Sequence, residues 1–481
     1  MKHLSTLLVL LFVCTCVRAQ TALSVTQQNT DLAINLAFVV PGAEYDVVNY
    51  KVVYTTIDAR GQPDTASGLL AIPLNRDLQF PLAAYMHGTV SNREAVPSRE
   101  GVLERRLIAA FATNGYIVAA PDYIGLGDSE GFHPYVHADS EASSGRDLLL
   151  AAKGWMDEQG IAYNDQLFIT GYSQGGHAAQ ALHRDIQENP SSDSLSVTAG
   201  AHLSGPYSIS DVMRRASLSE TRATLPGYIV YTYISYDTVY NLYDSLEQVF
   251  VPAYTDLIDS FERQVINLGD FNVRLDTLLQ RRGEVVADIF QDSIRQQLET
   301  NDTSSQVIQA LRRNDTYRWA PDAPTLLFYC TMDEQVPFEN ALLADSVMTR
   351  LGSTTVQTMT GGALTHGECV VPAVQATLGF FDQFAVTQPT TATRGVPITV
   401  SDLSVSPNPV SAGGELLVTG LTPGMNYRFA VTDLNGRLVQ QGQLSGQQSR
   451  VRLSDGLSRG LHLLRIVHSN GDFTVSKLVV Q

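Results

Sequence analysis

Short apolar runs alternate with amphipathic stretches along most of this chain. Residues 46–58 and 67–73 read as two strands, with turn chemistry at Ala59-Arg60-Gly61-Gln62-Pro63-Asp64 between them. Pro81–Met86 and Tyr116–Ala120 read as further strands, each running into a glycine-containing loop: His87-Gly88-Thr89 after the first, Pro121–Ser129 after the second. Residues 142–158 have the period of an amphipathic helix. Leu167-Phe168-Ile169-Thr170, Val197–Leu203, Thr325–Cys330 and Thr354–Met359 complete the strands. Strands that alternate with helices predict an α/β fold, a mostly parallel sheet with helices on both faces, mixed at its start by the first hairpin.

Two departures from that rhythm divide the chain. Residues 214–320 interrupt it between two strands with a mostly helical pattern that opens on Tyr228, Tyr231, Tyr233, Tyr236, Tyr240 and Tyr243. An insertion of this size beside strand ends reads as a cap over a pocket, with its aromatics either packing the cap or lining the pocket. After Thr/Pro-rich residues 388–403, residues 404–481 are short strands spaced by turns such as Asp433-Leu434-Asn435-Gly436-Arg437, the pattern of a small β-sandwich.

At the chain start, Lys2, the apolar Leu7–Val13 and Val17-Arg18-Ala19 read as a secretory signal over residues 1–19. The apolar run is too short to cross a bilayer. Lipid attachment at Cys14 or Cys16 fits less well, because Val13 and Thr15 stand where a small residue belongs. With the signal removed, 20–387 form the main body and only Cys330 and Cys369 remain as cysteines. Export makes a disulfide between them the default, with free buried thiols as the alternative.

Of the 481 residues, 44% are apolar, enough for a large core, and the net charge is −17. The acidic excess lies in the middle, since residues 404–481 carry more Arg and Lys than Asp and Glu. Such a body argues against nucleic acid and against docking on anionic membranes as partners. Neither metal-ligand spacing nor a phosphate-cradling loop is evident, so no cofactor is expected.

The chemistry concentrates at Gly171-Tyr172-Ser173-Gln174-Gly175-Gly176, between the Leu-Phe-Ile run and an Ala-rich helix. A strand-to-helix turn this sharp exposes the Ser173 hydroxyl and has no room for side chains at 171 and 175. It also puts the Gln174 N–H at a helix N-terminus, where it can hold an oxyanion. A serine nucleophile needs a base and an orienting carboxylate. In the order Ser, acid, His, Asp333 follows the strand ending at Cys330, and His366 is the histidine between that acid and the C-terminal domain. Asp211 is the second choice of acid. Glu334 reads as a neighbour, and the histidines at 87, 133, 137, 177, 183 and 202 as structural. Gly88 allows a turn that aims the Thr89 N–H at the same oxygen as Gln174.

The elbow, His87-Gly88, Asp122-Tyr123-Ile124-Gly125-Leu126-Gly127, Asp333 and His366 together resemble the α/β-hydrolase superfamily. Over residues 45–385 the chain looks most like its secretory lipase and esterase branch. Asn314–Pro321 ahead of the acid strand and a cysteine shortly after the histidine fit that branch. The resemblance implies a Ser173/Asp333/His366 triad, an ester or lipid substrate and an acyl-enzyme. Prolyl-oligopeptidase-type peptidases share the elbow and acid loop and are the alternative; an adhesion protein keeping the shape without the chemistry is a further one. Pro407-Asn408-Pro409, Asp433-Leu434-Asn435-Gly436, Gly460 and Lys477-Leu478-Val479 resemble the sorting domain of the type IX (Por) secretion system of gram-negative bacteria, although Leu461-His462-Leu463 stands where an aromatic is common. That resemblance implies the secretion machinery as a partner and an extracellular or cell-surface destination through the periplasm.

Overall fold

The computed structural model describes residues 21–37, 40, 42–190, 195–219, 223–390, 404–421, 426–433, 438–445, 448–468 and 473–481. The signal at 1–19, most of the 388–403 linker and the 434–437 turn lie outside the described residues. The described chain forms two compact units, one ending at Pro389 and one beginning at Thr390.

The first unit is built on one sheet. Its strands are β1 (Ala22–Asp31), β2 (Val47–Ile57), β3 (Pro63–Pro73), β4 (Leu78–Met86), β5 (Ile117–Pro121), β6 (Tyr163–Tyr172), β7 (Val197–Leu203), β8 (Thr325–Tyr329) and β9 (Val356–Thr360). They lie in the order β1-β2-β3-β5-β4-β6-β7-β8-β9, with Gln388–Pro389 added to β4. Pairing is antiparallel from β1 to β5 and parallel from β5 to β9. This is an α/β-hydrolase fold. The inner parallel strands are mostly apolar on both sides because helices cover both faces, whereas β9 at the edge is largely exposed. One face packs Met86, Ile169 and Leu182 into a core, and the other packs Tyr85, Phe168 and Phe381.

The first hairpin is tighter than the turn chemistry implied. Asp58 Oδ1 accepts the N–H of Arg60 and of Gln62, both at 2.8 Å, so the second strand resumes at Pro63. Proline is acceptable there because it begins the strand.

Between β7 and β8 the chain leaves the sheet and builds a cap of helices, including Pro226–Tyr240, Pro252–Glu262, Leu268–Arg282, Asp292–Thr300 and Gln306–Arg313. The cap is organised around an apolar core in which Tyr231, Tyr233, Tyr236, Phe250, Phe261 and Phe271 are buried together with Tyr135 and Val136 of the body. Most of the tyrosine-rich stretch therefore packs the cap. Tyr228 and Tyr233 also reach the pocket below it.

The second unit contains two antiparallel sheets. One joins Ser404–Ser406, Glu415–Thr419 and Gln448–Arg452; the other joins Leu438–Ser445, Asn426–Thr432, Gly460–His468 and Phe473–Val480. Leu416, Val418, Val431, Leu464, Ile466 and Leu478 belong to its core. No helix among the described residues is long and apolar enough to cross a membrane.

Candidate active site

β6 ends at Tyr172, and the helix Gln174–Glu188 begins immediately after Ser173. Ser173 takes φ 62° and ψ −123°, a strained conformation for a residue with a side chain. The close approach of backbones enforces the glycines on either side. A Cβ at Gly171 would lie 2.2 Å from the Gly175 carbonyl oxygen, and one at Gly175 would lie 1.9 Å from that of Met86. The serine thus stands at the carboxyl ends of the strands, under the cap.

β8 leads into the loop carrying Asp333, and β9 leads to the helix His366–Phe381. Asp333 Oδ2 lies 2.7 Å from His366 Nδ1. Asp333 is itself fixed, its Oδ1 accepting the N–H of Gln335 at 3.0 Å and of Val336 at 2.8 Å. Cys330 and Cys369 are joined by a disulfide that links the end of β8 to the first turn of the His366 helix. Asp211, by contrast, is engaged by Arg215 at 2.7 Å and has no contact with His366 among the described residues. Among those residues, no hydrogen bond joins Ser173 Oγ to His366. The two are linked instead through Tyr172, whose hydroxyl donates to the His366 carbonyl oxygen at 2.6 Å.

The His87-Gly88-Thr89 loop lies against the elbow: a Cβ on Gly88 would sit 3.8 Å from Cβ of Ser173. Nδ1 of His87 bonds the Gly88 carbonyl oxygen at 2.7 Å. Because carbonyl and N–H point opposite ways across a trans peptide, this bond turns the Thr89 N–H away from His87. The Thr89 hydroxyl is paired with that of Tyr135 at 2.9 Å.

A cavity of about 470 Å³ opens over the serine, bounded by Ser173 and Gln174 below, and by Val212, Tyr228, Ile229 and Leu311 from the cap side. Glu334 and Val336 of the acid loop also border it.

Buried polar residues that the sequence left as structural form a network behind the elbow. The Gln174 side-chain amide donates to His133 Nε2 at 2.8 Å and to Glu141 Oε1 at 2.9 Å. Glu141 Oε2 lies 2.7 Å from His177 Nδ1, and His177 Nε2 lies 2.8 Å from the Asn314 carbonyl oxygen. His133 Nδ1 faces the carbonyl oxygen of Ile124 at 2.7 Å, so its proton sits there and Nε2 is free to accept. Burial depresses the pKa of His133 to about 3, keeping it neutral. His177 Nε2 likewise donates to the Asn314 carbonyl oxygen. A histidine four residues after the serine, on the same helix face, is the one sequence sign of this network.

A family model described as serine aminopeptidase, S33, matches residues 101–367. The chain belongs to this family. A second model, the secretion system C-terminal sorting domain, matches residues 404–481. This hydrolase therefore carries a type IX sorting domain, which directs it to the cell surface or beyond. Among solved structures, a Legionella pneumophila protein assigned as a hydrolase is 27% identical with TM-score 0.67, covering 76% of this chain and 98% of its own. The rice cell wall degrading esterase LipA of Xanthomonas oryzae is 26% identical, TM-score 0.67, with 76% and 98% covered. Candida antarctica lipase A in its closed state shares the fold at 14% identity and TM-score 0.57, with 76% and 81% covered. No curated protein sequence matches the chain.

Proposed function

We propose that this protein is an exported serine hydrolase that cleaves carboxylic esters through Ser173, His366 and Asp333. The observation that carries the reading is the 2.7 Å Asp333–His366 contact beside a strained serine that borders a pocket of mixed apolar and polar lining. In this reading Asp333 takes the Nδ1 proton of His366 as a hydrogen bond, so Nε2 is the basic nitrogen. Nε2 removes the Ser173 proton as Oγ attacks the ester carbon. The N–H groups of Gln174 and Thr89 hold the oxyanion, each donor contributing about 10²–10³ in rate. The imidazolium then protonates the departing alcohol, and water, activated by the same nitrogen, releases the acid.

A cavity of about 470 Å³ suits a small to medium acyl group. The resemblance in fold and sequence to an esterase supports an ester substrate. The S33 family description supports a second reading, an aminopeptidase using the same residues. A fluorophosphonate probe followed by peptide mapping tests the nucleophile; labelling anywhere but Ser173 refutes it. Chromogenic esters graded by acyl length, run beside aminoacyl amides, decide the substrate class. Faster turnover of any amide than of every ester would make the enzyme a peptidase.

A further inference from the structure

We infer that Glu334 and Tyr172 are positioning residues for His366, gripping its main chain from opposite sides while Asp333 grips its ring. The inference rests on the proposed triad and extends it to residues with no assigned role.

His366 begins its helix, so its N–H has no intrahelical acceptor. The local cap does not supply one. Glu368 bonds the N–H of Thr365 at 3.0 Å and its hydroxyl at 2.7 Å. The His366 N–H instead donates to Glu334 Oε2 at 3.0 Å, across a gap of 32 residues in sequence. Asp333 and Glu334 are consecutive, so one loop fixes both the position of the residue and the angle of its ring. On the other side, the Tyr172 hydroxyl holds the His366 carbonyl at 2.6 Å, and the two rings lie 5.0 Å apart. Tyr172 immediately precedes Ser173, so this bond sets the spacing between nucleophile strand and base helix.

Both groups keep the protonation state the clamp needs. Burial works to raise the Glu334 pKa, but the His366 N–H and other donors bring it below the ordinary carboxylate value, so it stays anionic. Burial raises the Tyr172 pKa, so its hydroxyl keeps the proton it donates. The ionisable groups around His366 are Asp333 and Glu334 from the acid loop, Glu368 from its own helix and neutral Tyr172 from β6. Glu334 thus places a second negative charge where an imidazolium forms during turnover.

The test is steady-state hydrolysis of a chromogenic ester by Glu334→Gln, Glu334→Asp and Tyr172→Phe, each alone and combined with His366→Ala. A misplacement of a fraction of an ångström costs on the order of 10-fold in kcat, with KM changed less than about twofold. Glu334→Gln moves the acidic limb of the kcat/KM profile to lower pH, because it removes an anion that favours the imidazolium. Tyr172→Phe and Glu334→Asp lower kcat and leave that limb in place. In the His366→Ala background none of the three lowers the residual rate further, since they act through the missing ring. Unchanged kcat in Glu334→Gln and Tyr172→Phe, or equal losses with and without His366, overturns the assignment while leaving the triad intact. Wild-type turnover in His366→Ala alone overturns the triad and the clamp together.

Discussion

The carboxylate of Asp333 and the Nδ1 of His366, 33 residues apart in sequence, meet at 2.7 Å. In the proposed mechanism this contact leaves Nε2 as the nitrogen that acts as base. Asp333→Asn retains the shape but presents an amide that can hold the wrong tautomer. We expect turnover to fall by about 10³–10⁴. Ser173→Ala and His366→Ala should each be as damaging, and the double variant no worse than either. Full turnover in Asp333→Asn would move the acid elsewhere, with Asp211→Asn the next variant to assay.

Reduction of the disulfide is expected to slow the enzyme before it unfolds it. Cys330 lies three residues before Asp333 and Cys369 three after His366, and the bridge closes a 39-residue separation. The chain-entropy account assigns such a loop about 3–4 kcal/mol of stability. Cys369→Ser should lose turnover at temperatures where its circular dichroism is still native. Two titratable thiols in the unfolded, unreduced protein, together with full activity, would dismiss the bridge.

Buried histidines should make the protein acid-sensitive earlier than its carboxylates do. Burial lowers the pKa of His133 and His183 to about 3 and of His137 to about 4, and lowers His202 as well. Below the ordinary value of 6.5 the unfolded chain takes up protons that the folded chain refuses. Stability from this source is fully present above about pH 6.5 and drains away as the pH falls toward 4. The thermal midpoint should therefore drop between pH 6.5 and 5. A midpoint flat across that interval would contradict the burial of neutral rings.

The C-terminal unit should be dispensable for catalysis and needed for export. A cut has to fall after Pro389, because Gln388 and Pro389 pair with Gln79 and Leu78 of β4. Protein ending at residue 390 should keep kcat within about twofold in purified form and should fail to leave its host cell. Retained secretion of the shortened chain would deny the sorting role.

Much of this was legible because sterics leave marks in sequence. Only glycine fits at 171 and 175, so the elbow announces itself. The inner strands, covered on both faces, read as continuous apolar runs. β1 did not, because an edge strand with residues such as Gln27, Gln28 and Asn29 buries little. Glu334, Tyr172 and Glu141 were illegible for another reason. Their partners are main-chain groups or side chains brought near only by the fold, and such bonds follow no period. Glu334 was passed over as a neighbour of Asp333, yet its carboxylate accepts the main-chain N–H of His366. The tyrosines of 226–240 form a helix with buried residues on most sides, so no amphipathic stripe separated packing from pocket.

The cap leaves from one strand and returns to its neighbour. Ser204 N–H bonds the Phe328 carbonyl at 2.8 Å, and Gly200 N–H bonds that of Pro324 at 2.9 Å, so the insertion leaves at the carboxyl end of this parallel pair and returns at its amino end. Its helices bury most of their apolar residues against one another, joined by Tyr135 and Val136 of the body. A foreign helical insert in place of residues 226–313 would leave the β7–β8 pairing untouched and keep Tyr207, Tyr317 and Trp319, which pack with Leu327 of β8, and Asn314, whose carbonyl oxygen meets His177. In the proposed reading the reacting groups stay on the chassis while Tyr228, Ile229 and Leu311 of the pocket wall travel with the insert, so substrate range becomes open to redesign separately from chemistry.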